Sequence, residues 1–250
     1  MLCTKVTLIE LANYRQWTEL LGSDREWKIQ ETQSLLYLES QRAAAPLGGL
    51  VIPLRYDYAI LLSSGLSDDE INEVLDKVRE ASPVEVKAAT AAAPTPAAAV
   101  TMAFNRLRGR GQAQVEGCSD EVTVIGHVDL DNVTGLTESS DPLEAFHSVE
   151  ELLNNVIDIS RSYGGIAQYL GGDNIMIVMP VSNFRELAER LASVDKVKVG
   201  VGVARTPRAA AQLATRSLDD IRSRRDRGPL MILSDLEERL SLADSGPRGQ

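Results

Sequence analysis

The sequence predicts an α+β protein of two tandem ferredoxin-like units, each an antiparallel sheet with helices on one face. Three observations carry that expectation. Strand and helix periodicities run in the order β-α-β-β-α-β twice, which is the order of the split βαβ unit. Residue matches repeat with it: Thr95-Pro96-Ala97-Ala98-Ala99 and Thr206-Pro207-Arg208-Ala209-Ala210 stand 111 positions apart, and the turn residues Asp57 and Asp173 stand 116 apart. The length of 250 residues, with 44% apolar and 25% charged side chains, suits two globular domains of ~100–150 residues.

In the first half, Lys5–Glu10 reads as a strand and Asp24 to about Ala45 as a helix. Gly49–Leu54 and Tyr58–Ser63 are strands flanking the turn Arg55-Tyr56-Asp57. Ser67 and Glu70 form a capping box, each side chain taking an N–H that a helix start leaves unpaired, and open a helix to about Glu80. Val84–Thr90 is the next strand. Thr95-Pro96 then starts a helix, with threonine as N-cap and proline at the first helical position.

The second half repeats the order. Glu121–Asp129 is a strongly apolar strand. Asp141-Pro142 opens a helix whose Leu143, Phe146, Val149, Leu153 and Val156 recur three or four apart, and Gly164-Gly165 ends it. Ile166–Leu170 and Ile175–Met179 flank the turn Gly171-Gly172-Asp173-Asn174. Ser182 is read as the cap of a helix, Lys196–Val203 as a strand, Thr206-Pro207 as the start of the last long helix, and Pro229–Leu233 as an edge strand. The expected domains are 1–111 and 118–240 with a tail at 241–250, joined by the polar, glycine-rich segment Gly109–Gly117.

Composition excludes several functions. Lys and Arg number 26 against 36 Asp and Glu, a net charge of −10. Such a surface speaks against nonspecific binding to nucleic acid or anionic membrane, although a metal ion can bridge acidic protein to phosphate. Eleven aromatic residues leave a core that is mainly aliphatic. Cys3 and Cys118 fit no CxxC spacing and read as reduced thiols of a cytoplasmic protein. No apolar run approaches the ~20 residues of a membrane helix, and the first residues lack a signal-peptide layout.

Asp129 ends an apolar strand that reads as central. A carboxylate there is costly unless it meets a cation or a donor. Asp173 is either an ordinary turn residue or the second of two carboxylates making an oxygen site for Mg²⁺ with phosphates. Asp131-Asn132-Val133-Thr134-Gly135 is either an Asx-rich turn or a loop whose N–H groups cradle phosphate. His127 shares a strand face with Asp129 and is a candidate acid/base, or a core histidine. Tyr14 and Trp17 either stack on a base or anchor the first core. Arg222, Arg224, Arg225 and Arg227 suit a helix C-terminus. Zinc is not expected: Cys3, Cys118, His127 and His147 are scattered without ligand spacing.

Val128-Asp129-Leu130-Asp131-Asn132 followed by Gly171-Gly172-Asp173-Asn174 resembles the palm-type nucleotidyl cyclase pattern of GGDEF domains. The wider set resembles archaeal GTP cyclohydrolase III over essentially the whole chain. That set runs His127 to Gly135, Gly171 to Asn174, and Gly200-Val201-Gly202-Val203-Ala204-Arg205-Thr206, with Asn13-Tyr14-Arg15-Gln16-Trp17-Thr18 and Arg55-Tyr56-Asp57 in the first half. The resemblance implies two palm domains and Mg²⁺-dependent hydrolysis of GTP to 2-amino-5-formylamino-6-(5-phosphoribosylamino)pyrimidin-4(3H)-one, with pyrophosphate or phosphate released. It places metal at Asp129, the Leu130 carbonyl and Asp173. It places phosphate at Asp131, Asn132, Val133, Thr134, Gly171, Gly172, Asn174, Arg205 and Arg222, with Asp129 and Asp173 catalytic, while His127 is the catalytic candidate by its strand position. Asn13, Tyr14, Trp17 and Asp57 become a base pocket, other divalent or monovalent cations join Mg²⁺ as candidates, and a homodimer or tetramer is implied. Asn174-Ile175 stands where cyclases carry Glu-Phe, which counts against cyclisation, and Ala12 with Arg55-Tyr56 weakens the first half as a metal site. The alternatives are a nucleotidyl or dinucleotide cyclase and a non-catalytic nucleotide sensor.

Overall fold

In the computed structural model, residues 1–110, 115–131, 133–223 and 228–236 are described. The first unit contains β1 (Leu2–Leu11), α1 (Tyr14–Leu20), α2 (Glu26–Ala44), β2 (Leu50–Pro53), β3 (Tyr58–Leu62), α3 (Asp68–Ala81), β4 (Val86–Ala93) and α4 (Pro96–Leu107). After β5 (Asp120–Glu121), the second contains β6 (Thr123–Leu130), α5 (Val133–Ser139), α6 (Pro142–Ser162), β7 (Ile166–Gly171), β8 (Asn174–Met179), α7 (Phe184–Ala192), β9 (Val197–Ala204), α8 (Pro207–Ser223) and β10 (Leu230–Ser234). The sheets run β2-β3-β1-β4 and β10-β9-β6-β8-β7, so β1 and β6 occupy equivalent central places.

Local chemistry explains most boundaries. Ser67 and Glu70 make the capping box, Thr95 accepts from the Ala98 N–H, and Asp141 accepts from the Leu143 and Glu144 N–H groups. Ser182 does not cap α7: Asn183 holds the cap position without a side-chain bond. The buried stripe of α6 is Ala145, Val149, Leu152, Val156 and Ile159. Leu143 and Phe146 face outward, because a helix advances about 100° per residue and the sheet lies one position round from the stripe read in the sequence.

Two features of the expected fold class need correction. Both sheets are mixed: β10 pairs parallel with β9, and β5, expected with the second unit, pairs parallel with β1. Helices also cover both faces of each sheet. α2 and α3 bury Leu36, Ile71, Val74 and Val78 against Ile9, Leu11 and Leu61 on one outer face, and α6 and α7 do the same on the other. α4 and α8 lie between the sheets, where Ala99, Ala103, Ala210 and Ala214 join Val6, Leu8, Ile125 and Val178 in a shared core. Alanine suits that layer, since small side chains let a helix sit close to two sheets.

The units dock reciprocally. The Ala97 N–H at the start of α4 donates to Gly164 O at 3.1 Å, and the Arg208 N–H at the start of α8 donates to Gly48 O at 3.0 Å. A Cβ on Gly164 would meet Thr95, and one on Gly48 would meet Thr206, so the repeated Thr-Pro pairs seat each inner helix on the opposite unit. Cys3 and Cys118 form a disulfide across 115 residues. They are therefore not the free thiols expected from their spacing; the β1–β5 pairing brings them together.

Gly200 and Gly202 let α8 lie on β9. A Cβ on Gly202 would stand 2.0 Å from Ala210 O and 2.6 Å from Ala214 N, and backbone cannot rotate away. Overpacking of this kind costs about 1–3 kcal/mol or more. Gly202→Ala is therefore expected to lower stability by ~3 kcal/mol, checked by urea unfolding at constant slope.

Candidate active site

Asp129 stands near the end of β6, opposite Asn174 of β8 and Lys198 of β9. Alternation along β6 sends Val124 and Val128 to the outer helices and His127 and Asp129 toward α8. There Arg222, in the last turn of α8, grips Asp129 with two nitrogens: Nε donates to Oδ2 at 3.3 Å and an Nη to Oδ1. Asp129 is only 4% exposed. Burial pushes its carboxyl above the usual range, Arg222 pulls it down, and the nearby charge of Asp173 pushes it up again.

Asp173 sits in the β7–β8 turn, where Gly171 and Gly172 take φ of 106° and 62°. The left-handed turn requires little of glycine beyond its lack of Cβ, and it holds Asp173 at the sheet end beside Asp129. Asn174 Nδ2 donates to Asp173 Oδ1 at 3.1 Å, and Tyr169 Oη donates to Gly172 O at 3.0 Å. Asp131 pairs with Lys198 Nζ, while its N–H donates to Lys196 O at 2.8 Å. Leu130 lies between them opposite Val197. Val133 and Thr134 open the seven-residue α5, and Asn132 lies outside the described residues, as do Arg224, Arg225 and Arg227.

Three carboxylates and two cations thus meet at one sheet end. No group of three or more His, Cys, Asp or Glu side chains forms a ready metal cage among the described residues. Two carboxylates, completed by water and substrate phosphate oxygens, are nevertheless the donor set that Mg²⁺ accepts. Lys198 is a site residue that the motifs do not announce; only the β6–β9 register reveals it.

Other expected residues fall elsewhere. Arg205 follows β9 at the end away from Asp129, seven residues beyond Lys198, or ~23 Å at a strand rise of about 3.3 Å per residue. It packs at the junction of the units, where a Cβ on Gly65 would meet its carbonyl at 3.1 Å, and its position in the glycine motif reflects helix packing. Asn13, Tyr14, Trp17 and Asp57 gather at the matching end of the first sheet. Tyr14 and Trp17 rings lie 5.3 Å apart, Tyr14 Oη accepts from Gln33 at 2.9 Å, and Asp57 pairs with Arg55 at 2.5 Å. No hydrogen bond or ion pair among the described residues joins these four to Asp129, Asp173 or Arg222. Glu10 is the register equivalent of Asp129, opposite Tyr58 and Lys87, and Arg108 after α4 grips it as Arg222 grips Asp129.

His127 lies two residues deeper on the Asp129 face, its Nδ1 3.3 Å from Thr215 Oγ1. Burial lowers its pKa to about 4, so it is neutral at pH 7. The unfolded chain binds this proton near 6.5, so stability is lost as pH falls from about 6.5 toward 4. His127→Gln is expected to lose less stability between pH 7 and pH 5 than the wild type does, as read from paired urea melts.

A family model described as GTP cyclohydrolase III matches residues 6–235. A GTP cyclohydrolase III of Aeropyrum pernix is 40% identical over 231 residues, 91% of this chain and 96% of that protein. One of Pyrobaculum calidifontis is 34% identical over 88% of this chain and 95% of that protein. A solved diguanylate cyclase/phosphodiesterase from Caldicellulosiruptor saccharolyticus aligns at 18% identity with a TM-score of 0.36, covering 45% of this chain and 76% of that one. Sequence similarity across both units, and not at the turn motif alone, makes this chain a member of the GTP cyclohydrolase III family.

Proposed function

We propose that the protein hydrolyses GTP with Mg²⁺, opening the imidazole ring and shortening the triphosphate. The observation that carries this reading is the meeting of Asp129, Asp173, Lys198 and Arg222 at one strand end in a member of this family. One water attacks C8 and the C8–N9 bond breaks, leaving the carbon as a formyl group on N7. A second water cleaves the α–β phosphoanhydride and releases pyrophosphate, and any further cleavage to phosphate takes another water.

Asp129 and Asp173, with the Leu130 carbonyl, would hold Mg²⁺. When bound, the ion supplies positive charge at the phosphate oxygens and orients them. Arg222 and Lys198 add fixed positive charge for the phosphates. Asn174, in place of a cyclase glutamate, offers an amide where cyclisation would call for a carboxylate. His127, held neutral by burial and hydrogen-bonded to Thr215, is a proton acceptor of low basicity two residues from Asp129.

We place the protein in the cytoplasm, with its nucleotide substrate; separately, no helix among the described residues is long and apolar enough to cross a membrane. Access governs how fast reducing thiols attack a disulfide, and here Cys3 is fully buried while Cys118 is half-buried. Exposed Trp27, Leu35 and Leu38 on α2, and Leu143, Phe146 and Ile157 on α6, suit a homo-oligomer.

Incubation with GTP and Mg²⁺, followed by ultraviolet spectrum, phosphate release and product mass, tests the reading. The expected product keeps the formyl carbon and one phosphate. A cyclic dinucleotide, or bound but unchanged GTP, would replace this reading with a cyclase or a sensor.

A further inference from the structure

The two units carry the same carboxylate–arginine pair but differ in everything around it. In the first, Glu10 accepts from Arg108 through both oxygens, at 2.6 and 3.1 Å, and also from Tyr58 Oη at 2.5 Å. Asp57 in the adjacent turn is clasped by Arg55. Every carboxylate of that cluster is neutralised by a neighbour. In the second unit, an offset of 116 sets Gly171 in place of Arg55, Gly172 in place of Tyr56 and Asn174 in place of Tyr58. Tyr56 and Gly172 even share the left-handed backbone, at φ of 66° and 62°. The turn is kept while two of its three locks are gone. Asp173 bonds to the Asn174 amide, and no Lys or Arg among the described residues forms an ion pair with it, although Arg222 lies near enough to feel its charge.

The one lock retained is Arg222 on Asp129. It takes one lone pair on each carboxylate oxygen and neutralises the charge, so arginine and metal ion compete for that carboxylate. Arg222 has somewhere to go: its side chain is 44% exposed, against 6% for Asp129. A nucleotide's phosphates would offer its guanidinium the same two-pronged acceptor that the carboxylate offers now. Once the arginine turns to phosphate, Asp129 is a buried carboxylate without a partner, which is costly unless a cation replaces it.

We infer that Arg222 and the divalent cation are alternative partners of Asp129, and that the phosphates of the incoming nucleotide move the arginine from one to the other. The inference rests on the metal reading proposed above. It makes metal and nucleotide binding mutually dependent: the apo site is neutralised by its own arginine, and the metal site comes into being only with phosphate present. The first unit, with all its locks in place, stays closed to metal.

The test is a titration of Mn²⁺ against the full chain, with free ion counted by electron paramagnetic resonance. It compares wild type, Arg222→Gln, Arg222→Lys and the double variant Arg222→Gln/Asp129→Asn, each with and without a non-hydrolysable GTP analogue. Circular dichroism confirms folding, and Arg222→Lys, which keeps the charge but loses the fork, guards against a misfolded Gln variant. Without nucleotide, Arg222→Gln is expected to bind Mn²⁺ about tenfold more tightly than wild type, the scale of one charge-assisted pair. Arg222→Lys should fall between them, and the double variant should lose the gain. In the wild type, the analogue should tighten Mn²⁺ by a similar factor, and Arg222→Gln should show a smaller enhancement. Equal or weaker Mn²⁺ binding by folded Arg222→Gln, with the analogue still recruiting Mn²⁺ to the wild type, overturns the exchange and leaves the metal reading standing. Failure of the wild type to bind Mn²⁺ even with the analogue overturns both.

Discussion

Asp129→Asn is expected to abolish most Mg²⁺-dependent GTP turnover while leaving the apo protein as stable as the wild type, or slightly more so. Removing one of two carboxylates weakens the hold on the metal and the charge stabilisation where phosphates react. Losses of that electrostatic kind run to about 10²–10³ in rate. Stability moves differently because the carboxyl of Asp129 is raised by burial and by Asp173. A group whose folded pKa lies above its unfolded value stabilises the protein at low pH and loses that contribution as pH rises through the folded pKa. At neutral pH the ionised carboxylate is therefore a burden that Asn relieves, offset by the lost pairing with Arg222, whose exposed end can turn to water. Steady-state turnover with melting curves in the absence of metal checks both halves. Near-normal turnover in a well-folded variant would refute the assignment of Asp129 to the metal.

Both site carboxylates are legible in the sequence because their signals are local. A charged residue closing an apolar strand and a Gly-Gly-Asp-Asn turn each betray themselves within a few positions. The inner helices are legible for the same reason: Thr-Pro states a cap and a first turn in two residues. Lys198 is not, since it pairs with Asp131 across 67 residues by register alone. Arg205 misleads because it adjoins the glycine motif, and only the direction of β9 shows that this motif serves helix packing. Arg222 is placed by resemblance, but its grip on Asp129 is a three-dimensional fact. α1 and α5 escape a periodicity reading because seven residues hold fewer than two turns of repeat. The disulfide escapes because no spacing rule pairs cysteines 115 positions apart; the β1–β5 pairing does. The faces of the sheets are misjudged where the pattern of strands says nothing of what a duplicated partner brings, and it brings α4 and α8 into a layer between them.

The two turn aspartates, alike in sequence position, are expected to part company on substitution. Asp173→Asn should cost about two orders of magnitude in GTP turnover, on the same electrostatic grounds as Asp129→Asn. It removes the one carboxylate of the site that no lysine or arginine among the described residues already neutralises. Asp57→Asn should leave turnover within about threefold of wild type, because Asp57 is engaged with Arg55, and Ala12 stands in the first unit where Asp131 stands in the second. The Arg55 side chain is 74% exposed, and an ion pair so open to water is worth only about 0–1 kcal/mol, so the first unit should also stay folded. Its backbone role survives the change, since the Leu11 N–H donates to the Asp57 carbonyl at 2.9 Å and not to the side chain. Parallel assays of the two variants, each with a melting curve, decide the matter: equal loss of turnover from both, with folding intact, would mean that the first unit contributes its own carboxylate to the chemistry and that the locks around Glu10 and Asp57 open during the reaction.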